Sequence, residues 1–343
     1  MVMALHLRPV LPPPLAAKLA ALGTRLGDRE LEDVLADLST LPANLIVRAN
    51  QEIATAARLG WWQTQMGFSL GRLFGSSNEQ QLLRKRPDYA WLFLFHPNGY
   101  VREAALDCIN NPPTSPFFFS ALAWRLNDWV GPVRQAAERC AERVLHQTVA
   151  DVAANAALYL LDRRLAWGRW SDEPKVLDSV FGRKDVIAAL AVQLQEHSTG
   201  PLATCLRNTL RYPNVDEHLL CLAANAVQPS VRAVAYQCLI FGTATWSVGF
   251  EWAWIDKVYG LRRRVPKLDR RDIQRTRPVA DLIREAVRDK SPFVRRVAAD
   301  ALIAARSKLP DEEALIAHLA KDRSSAIRSR ADFMLRHPPS REP

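Results

Sequence analysis

The chain has few of the patterns from which metal, cofactor and nucleophile sites are built. Its seven histidines are dispersed, none of them precedes a glutamate, and neither an HxxxH nor a CxxC spacing occurs. Such spacings place two side chains on one face of a helix or turn, where both can bind the same metal ion. No glycine-rich phosphate loop and no kinase signature is present either. We therefore predict no metal site and no cofactor, and we favour a protein that is not an enzyme.

Long apolar runs are equally scarce. The longest uncharged run covers residues 233–250, and it contains two glycines and several polar side chains. We expect this run to lie in a protein core rather than to cross a membrane. The first residues lack the basic start, apolar centre and small-residue cleavage site of a signal peptide. The sequence therefore predicts no membrane span and a cytoplasmic location.

Cysteine is rare, and its count is odd. Five cysteines occur among 343 residues. Disulfide frameworks are typical of small secreted domains with an even number of cysteines, so such a framework is not expected here. We predict unpaired thiols, with Cys108, Cys140 and Cys238 as small core residues.

Acidic residues are fewer than basic residues. Lysine and arginine number 46 against 36 acidic residues, which gives a net charge of +10. Residues 261–277 carry eight basic and two acidic residues, a net +6 (8 − 2), so the rest of the chain carries only +4 (10 − 6). The eight are Arg262, Arg263, Arg264, Lys267, Arg270, Arg271, Arg275 and Arg277. This segment is the candidate site for a protein partner or a nucleic acid, and a solvated loop is the alternative.

What the sequence does contain is a short pattern that recurs five times. In each copy a basic residue directly follows Val or Ile, and small or apolar residues stand four and eight positions after that Val or Ile. The copies start at Val101, Val133, Val231, Val294 and Ile327. Their starts are 32, 98, 63 and 33 residues apart, close to multiples of one period. Residues at i, i+4 and i+8 share a helical face, so the period predicts stacked helical hairpins.

The individual helices can be placed from their start and stop signals. Proline opens several of them, because the first turn of a helix has no partner for the N–H that proline lacks. We predict paired helices at 117–126 and 132–145, 215–225 and 230–241, 279–287 and 292–305, and 312–320 and 325–336.

The repeat resembles the HEAT family, in particular the short HEAT-like repeats named after phycobilisome lyases. The resemblance rests on the unit Asp-(four residues)-Val-Arg-(two)-Ala-(three)-Leu, which starts at Asp128, Asp289 and Asp322. It implies an all-α fold, a right-handed α-solenoid of stacked HEAT-like helical hairpins. In that family the Asp and Arg residues form a ladder between successive repeats. The implied ladder residues are Arg102, Arg134, Arg232, Arg295, Arg328, Asp128, Asp289 and Asp322.

The chain is predicted to have three parts. We expect an atypical N-terminal helical cap with an aromatic loop over 1–80, because a terminal repeat must cover the exposed end of the core. The HEAT-like repeat solenoid follows over 81–336, and a disordered tail covers 337–343. Pro266 falls where a repeat helix should continue, so one repeat is diverted near 261–277.

Aromatic residues directly precede the basic segment. They are Trp246, Phe250, Trp252, Trp254 and Tyr259. A basic strip beside aromatic rings suits single-stranded nucleic acid, whose phosphates bind arginine and whose bases stack on rings. However, Trp246, Phe250 and Trp254 stand at i, i+4 and i+8, which equally predicts a helix that buries one face. The helix is the favoured interpretation.

A resemblance to HEAT-like DNA glycosylases provides the catalytic candidates. Those enzymes place a tryptophan pair, an aspartate and an arginine around a cationic damaged base. Trp252, Trp254 and Asp256, followed by Arg262, supply the residue types, but they do not align with that family's motif. A cation held over tryptophan is chemically favourable.

The sequence thus favours a non-catalytic HEAT-like repeat scaffold. It would bind another protein with an acidic surface through its concave face and its basic insertion. The alternative is a nucleic-acid-binding protein that uses the 261–277 segment, in one version an alkylpurine DNA glycosylase-like HEAT-repeat enzyme. The resemblance implies a fold more strongly than an activity, because HEAT-like proteins include scaffolds, chaperones, lyases and glycosylases.

Overall fold

A computed structural model of the chain describes residues 8–22, 28–60, 78–163, 167, 175–305 and 309–337. Nearly all of the predicted aromatic loop and of the predicted tail lies outside the described residues. Of the described residues, 68% are helical. They also form one two-stranded sheet, so the all-α prediction is correct in its predominance of helix and wrong at that sheet.

The chain divides into two compact units, Met1–Val186 and Ile187–Pro343. The helices of the first unit are α1 (Pro13–Leu22), α2 (Asp28–Ser39), α3 (Ile46–Ala56), α4 (Asn78–Lys85), α5 (Ala90–Phe93), α6 (Gly99–Cys108), α7 (Pro116–Leu126), α8 (Gly131–Val144), α9 (Ala150–Arg163) and α10 (Lys175–Phe181). The next helix, α11 (Lys184–Glu196), spans the division.

The second unit combines helices with the sheet. Its helices are α12 (Leu202–Thr209), α13 (Leu219–Asn225), α14 (Pro229–Phe241), α15 (Val279–Val287), α16 (Pro292–Ala304), α17 (Glu312–Ala320) and α18 (Ser325–Arg336). The strands β1 (Thr243–Asp256) and β2 (Leu261–Asp272) lie between α14 and α15. The helices predicted at 279–287, 312–320 and 325–336 are confirmed with unchanged bounds. The helix predicted at 215–225 starts as a 3-10 turn, Pro213–His218, before α13.

Within each unit the helices pack as neighbouring pairs. In the first unit α7 packs on α8, and α8 also packs on α6. In the second unit α13 packs on α14, α15 on α16 and α17 on α18. In addition, α14 packs on α16 and α16 on α18. The second helix of a pair therefore contacts the second helix of the following pair.

The five copies of the sequence pattern occupy equivalent core positions. The starting residues Val101, Val133, Val231, Val294 and Ile327 are all fully buried. Four positions later stand Ala105, Ala137, Ala235, Ala298 and Ala331, which are also fully buried. A single methyl group at this position lets a packed neighbour approach closely without leaving a void. The recurrent alanine therefore allows neighbouring helices to pack closely at this position.

Candidate functional site

The basic segment forms one strand of a β-hairpin rather than a loop or a helix. The strands β1 and β2 pair antiparallel, with Trp252 opposite Arg264 and Trp254 opposite Arg262. Directly opposite residues point to the same side of a sheet, and so do residues two apart on one strand. Phe250, which lies opposite Pro266, therefore shares a side with both tryptophans. We call the side formed by Phe250, Trp252, Trp254, Arg262 and Arg264 the ring face.

The ring face is open to solvent. Phe250, Trp252 and Trp254 are 46%, 60% and 53% exposed. Aromatic side chains of this size ordinarily bury most of their surface. Three exposed rings in one row form an apolar patch of the kind that marks an interaction site.

Arginine side chains lie against these rings. The guanidinium carbon of Arg262 is 5.1 Å from the Trp252 ring centroid and 5.9 Å from that of Trp254. The guanidinium carbon of Arg264 is 4.0 Å from the Phe250 centroid. All three distances fall within the cation–π range of about 6 Å. The ring face is therefore an alternating series of aromatic rings and planar cations.

The predicted helix over Trp246, Phe250 and Trp254 is wrong. The informative spacing was the alternation of Phe250, Trp252 and Trp254, which has the period of two that a strand requires. β-Branched and aromatic residues make up eight of the 14 residues of β1, and these residue types favour strands. The spacing of four is not helical, because Phe250 and Trp254 are two of three rings at alternate positions of a strand, and a register shift separates them from Trp246.

Asp256 shapes the turn at the tip of the hairpin. Its Oδ1 accepts hydrogen bonds from the backbone N–H groups of Val258 (2.8 Å) and Tyr259 (3.1 Å). Gly260 has a φ of +65°, in the left-handed region that glycine tolerates best. The catalytic candidates Trp252, Trp254 and Asp256 thus lie along an exposed ribbon, with the carboxylate engaged in the turn.

Arg271 anchors the base of the hairpin to the helical body. Its Nη1 and Nη2 donate to the two carboxylate oxygens of Asp216 at 2.7 and 2.6 Å, and its Nε donates to the carbonyl of Leu210 at 2.9 Å. Nearby, Arg211 Nη2 donates to the carbonyl of Ser247 at 3.2 Å. Ala244, opposite Arg271, is fully buried. Arg271 therefore fastens the hairpin rather than binding a partner.

Two further basic residues of the segment also have structural roles. The guanidinium of Arg275 packs against Gly242, where an added Cβ would lie 2.5 Å from Nη2. Gly242 also has a φ of +70°, in the left-handed region that favours glycine. Arg277 forms a bidentate pair with Glu285, at 2.6 and 3.1 Å.

Besides Arg275, five of the eight predicted binding residues are exposed, and all of these lie on β2. They are Arg262, Arg263, Arg264, Lys267 and Arg270. None of their side chains forms an ion pair with a residue that the structure describes. A cation without a carboxylate partner keeps its full electrostatic attraction for an external anion. These five residues, which we call the free cations, are the charged part of the candidate site.

The predicted ladder residues of the first unit form a buried network. Arg102 donates from Nε and Nη2 to the two carboxylate oxygens of Asp128, at 3.0 and 2.8 Å. Arg125 donates to the same carboxylate at 2.8 Å. Arg134 instead donates to the backbone carbonyl of Asp128, at 2.7 Å. Burial lowers the pKa of Arg125 to about 10, against the attraction of Asp128, which raises it.

The second unit has the same arrangement between its helix pairs. Arg232 forms a bidentate pair with Asp289, with both distances 2.9 Å. Arg295 pairs with Asp322 through Nε and Nη2 and donates from Nη1 to the carbonyl of Asp289 at 2.8 Å. Arg328 donates to the carbonyl of Asp322 at 2.7 Å. The guanidiniums of Arg102, Arg232 and Arg295 are therefore paired with carboxylates of the fold, in contrast to the free cations.

The pKa values of two ladder carboxylates are lowered. Burial alone would raise the pKa of Asp289, but hydrogen bonds from Arg232 and Ser291 outweigh it and hold the value below 3.8. For Asp322, the hydrogen bond from Arg295 is the largest cause of the lowered pKa.

Two of the five thiols are deeply buried and poorly suited to nucleophilic chemistry. All five cysteines are free, and burial raises the pKa of Cys140 and of Cys238 to about 12. Such thiols are not nucleophilic near neutral pH. No group of three or more potential metal ligands occurs in the described part of the chain. Within the same residues, no helix combines the length and the apolar character needed to span a membrane.

No family model, no curated protein and no solved structure matches this chain.

Proposed function

We propose that this protein is a non-catalytic helical-repeat scaffold that binds nucleic acid through the hairpin of β1 and β2. One observation carries the proposal: five free cations and three exposed rings occupy a single hairpin. Phosphate groups attract lysine and arginine regardless of sequence, and this term dominates non-specific nucleic-acid affinity. Aromatic rings add base stacking. The scaffold holds this hairpin in place.

The scaffold itself is proposed to be a right-handed α-solenoid of HEAT-like repeats. Three observations support this architecture: the five equivalent Val/Ile and Ala positions, the contacts between successive second helices, and the Arg–Asp pairs that join one helix pair to the next. Each repeat of such an array packs only on its neighbours. An insertion such as the hairpin can therefore interrupt one repeat without disturbing the others.

A salt titration tests the nucleic-acid proposal. If the five free cations each neutralise one phosphate, log affinity falls against log salt with a slope of about −3.5 for a single strand or −4.5 for a duplex. Replacing Arg262, Arg263 and Arg264 together by alanine should reduce the steepness of that slope by about two to three units. The helical circular dichroism signal should stay unchanged, because these side chains lie outside the core.

A matched control separates the hairpin from general positive charge. Arg288, Lys290 and Arg296 are also exposed, carry the same total charge and lie outside the hairpin. Their triple alanine variant should retain the original slope. If the two triple variants lose affinity equally, the binding surface is elsewhere. If the unaltered protein binds neither DNA nor RNA at low salt, the proposed function is wrong.

A protein partner with an acidic surface is the second candidate. Tryptophan and arginine are enriched in the cores of protein–protein interfaces, and the ring face offers both. In this case the hairpin would bind no oligonucleotide at low salt. The Arg262, Arg263 and Arg264 triple variant would instead lose a specific protein that the unaltered chain and the control variant both retain.

A further inference from the structure

We infer that the nucleic acid bound by the hairpin is single-stranded, and that its bases stack on Phe250, Trp252 and Trp254. This inference rests on the proposed function and specifies its substrate. Three properties of the rings support it: their spacing along the strand, their exposure to solvent, and the planar arginine side chains that now lie against them.

The spacing of the rings matches the thickness of a stacked base. Consecutive ring-face residues of β1 are two positions apart, which corresponds to about 6.7 Å along a strand. Stacked bases are about 3.4 Å apart, so a planar group between two aromatic rings needs about twice that distance. One base can therefore fit between successive rings, in register with the strand.

A planar group already lies beside these rings. The guanidinium of Arg262 is within 6 Å of the centroids of both Trp252 and Trp254, and Arg264 lies over Phe250. An arriving base would take the place of a guanidinium at the ring, and the arginine would turn to the adjoining phosphate. Each arginine would then exchange a cation–π contact for a charge-assisted hydrogen bond, which is the stronger interaction.

A duplex would leave the rings without partners. Inside a double helix the flat faces of the bases are covered by their neighbours, so only phosphates and base edges are accessible in the grooves. A ring can reach a base face there only by insertion between base pairs, which costs the unstacking of a step. A single strand exposes base faces at no such cost. The rings therefore favour a single strand, whereas the free cations attract either form.

Ring substitution is the direct test, with the full-length protein. The probes are a labelled thymidine oligomer of about 20 nucleotides, longer than the usual site size, and a duplex of equal length. The Trp252→Ala and Trp254→Ala substitutions should each weaken binding of the oligomer by about tenfold, while duplex binding and the salt slope stay unchanged. Trp129→Ala, which removes an exposed tryptophan outside the hairpin, is the matched control and should have no effect.

A conservative double variant controls for loss of the hairpin fold. The double variant Trp252→Phe and Trp254→Phe keeps two rings and should retain most of the affinity for the oligomer. In the unaltered protein, binding should quench part of the tryptophan emission. The double phenylalanine variant should bind without that part of the quenching, which a purely structural role for the two residues would not explain.

Failure of this inference can be distinguished from failure of the proposed function. If the oligomer and the duplex bind equally and the alanine variants bind the oligomer as well as the Trp129→Ala control does, the rings do not stack on bases. Salt-dependent binding through the free cations would then still stand. If quenching is unchanged in the double phenylalanine variant, the stacking inference is also overturned. Absence of binding to both probes at low salt would overturn both proposals.

Discussion

At the residue scale, Asp128 holds together the most buried charge cluster of the ladder. Its carboxylate accepts hydrogen bonds from Arg102 and Arg125 and from the backbone N–H of Val130. The side chains of Asp128 and Arg102 are 1% and 4% exposed. A buried charge is tolerated only when its partner is in place, because the interior cannot solvate it.

Removal of Asp128 should therefore be costly. The Asp128→Ala substitution leaves the guanidiniums of Arg102 and Arg125 buried without a carboxylate, and we expect a loss of about 3–5 kcal/mol in the free energy of unfolding. The Asp300→Ala substitution, which breaks the more exposed pair with Arg330, should cost less than about 1 kcal/mol. Urea unfolding of both variants checks the difference. Similar losses would contradict a special role for the buried cluster.

At the element scale, the hairpin depends on its base. A two-stranded sheet is marginally stable on its own, and most of this one is exposed on both sides. The Arg271–Asp216 pair and the buried Ala244 supply the contacts with the helical body. The Arg271–Asp216 pair joins residues 55 positions apart along the chain, and β1 also packs on α12 and α14.

The role of Arg271 as an anchor can be tested by comparison with the adjacent Arg270. The Arg271→Ala substitution leaves the Asp216 carboxylate and the Leu210 carbonyl without their donor, so we expect about 1–3 kcal/mol of destabilisation. Proteolysis within 243–272 should become faster, because the ribbon loses its attachment. The Arg270→Ala substitution removes the same charge from an exposed site and should leave proteolysis unchanged. Equal cleavage in both variants would mean that Arg271 does not anchor the hairpin.

The spacing of apolar residues along the chain predicted some helices well but did not predict the hairpin. The helices α15, α17 and α18 were predicted with unchanged bounds, because each has apolar residues at the 3.6-residue period of a helix with one buried face. The hairpin was missed, although Phe250, Trp252 and Trp254 carried the period of two. The spacing of four between Trp246, Phe250 and Trp254 also fits the buried face of a helix, so the two periods competed in the same segment.

At the scale of the whole molecule, the carboxylates that pair with arginine determine how the stability of the folded state decreases at low pH. The pKa values of Asp185, Asp289, Asp311 and Asp322 are all lowered by arginine partners, against the effect of burial. A carboxyl whose pKa is lower in the folded state stabilises that state above its unfolded pKa. This stability is lost as the pH falls through the folded value.

The midpoint of urea unfolding should therefore stay level near neutral pH and fall progressively below about pH 5. The Asp322→Asn substitution removes one of the titrating groups, so it should lower the midpoint at neutral pH and flatten the fall in acid. Unfolding curves between about pH 3 and pH 7 check both effects. An unchanged acid slope in the variant would show that the Asp322–Arg295 pair contributes nothing to stability.

The sequence by itself determined the paired helices, because a Val or Ile followed by alanine four positions later fixes which helical face is buried. It also located the excess of positive charge in 261–277. Only the tertiary structure decided which of those cations are free: Arg271 pairs with Asp216 across 55 residues, whereas Arg262 and Arg264 lie over aromatic rings and form no ion pair with any described residue. The reason is physical, since periodicity is a property of neighbours along the chain, while the partner of a charge is supplied by whichever residue the fold brings beside it.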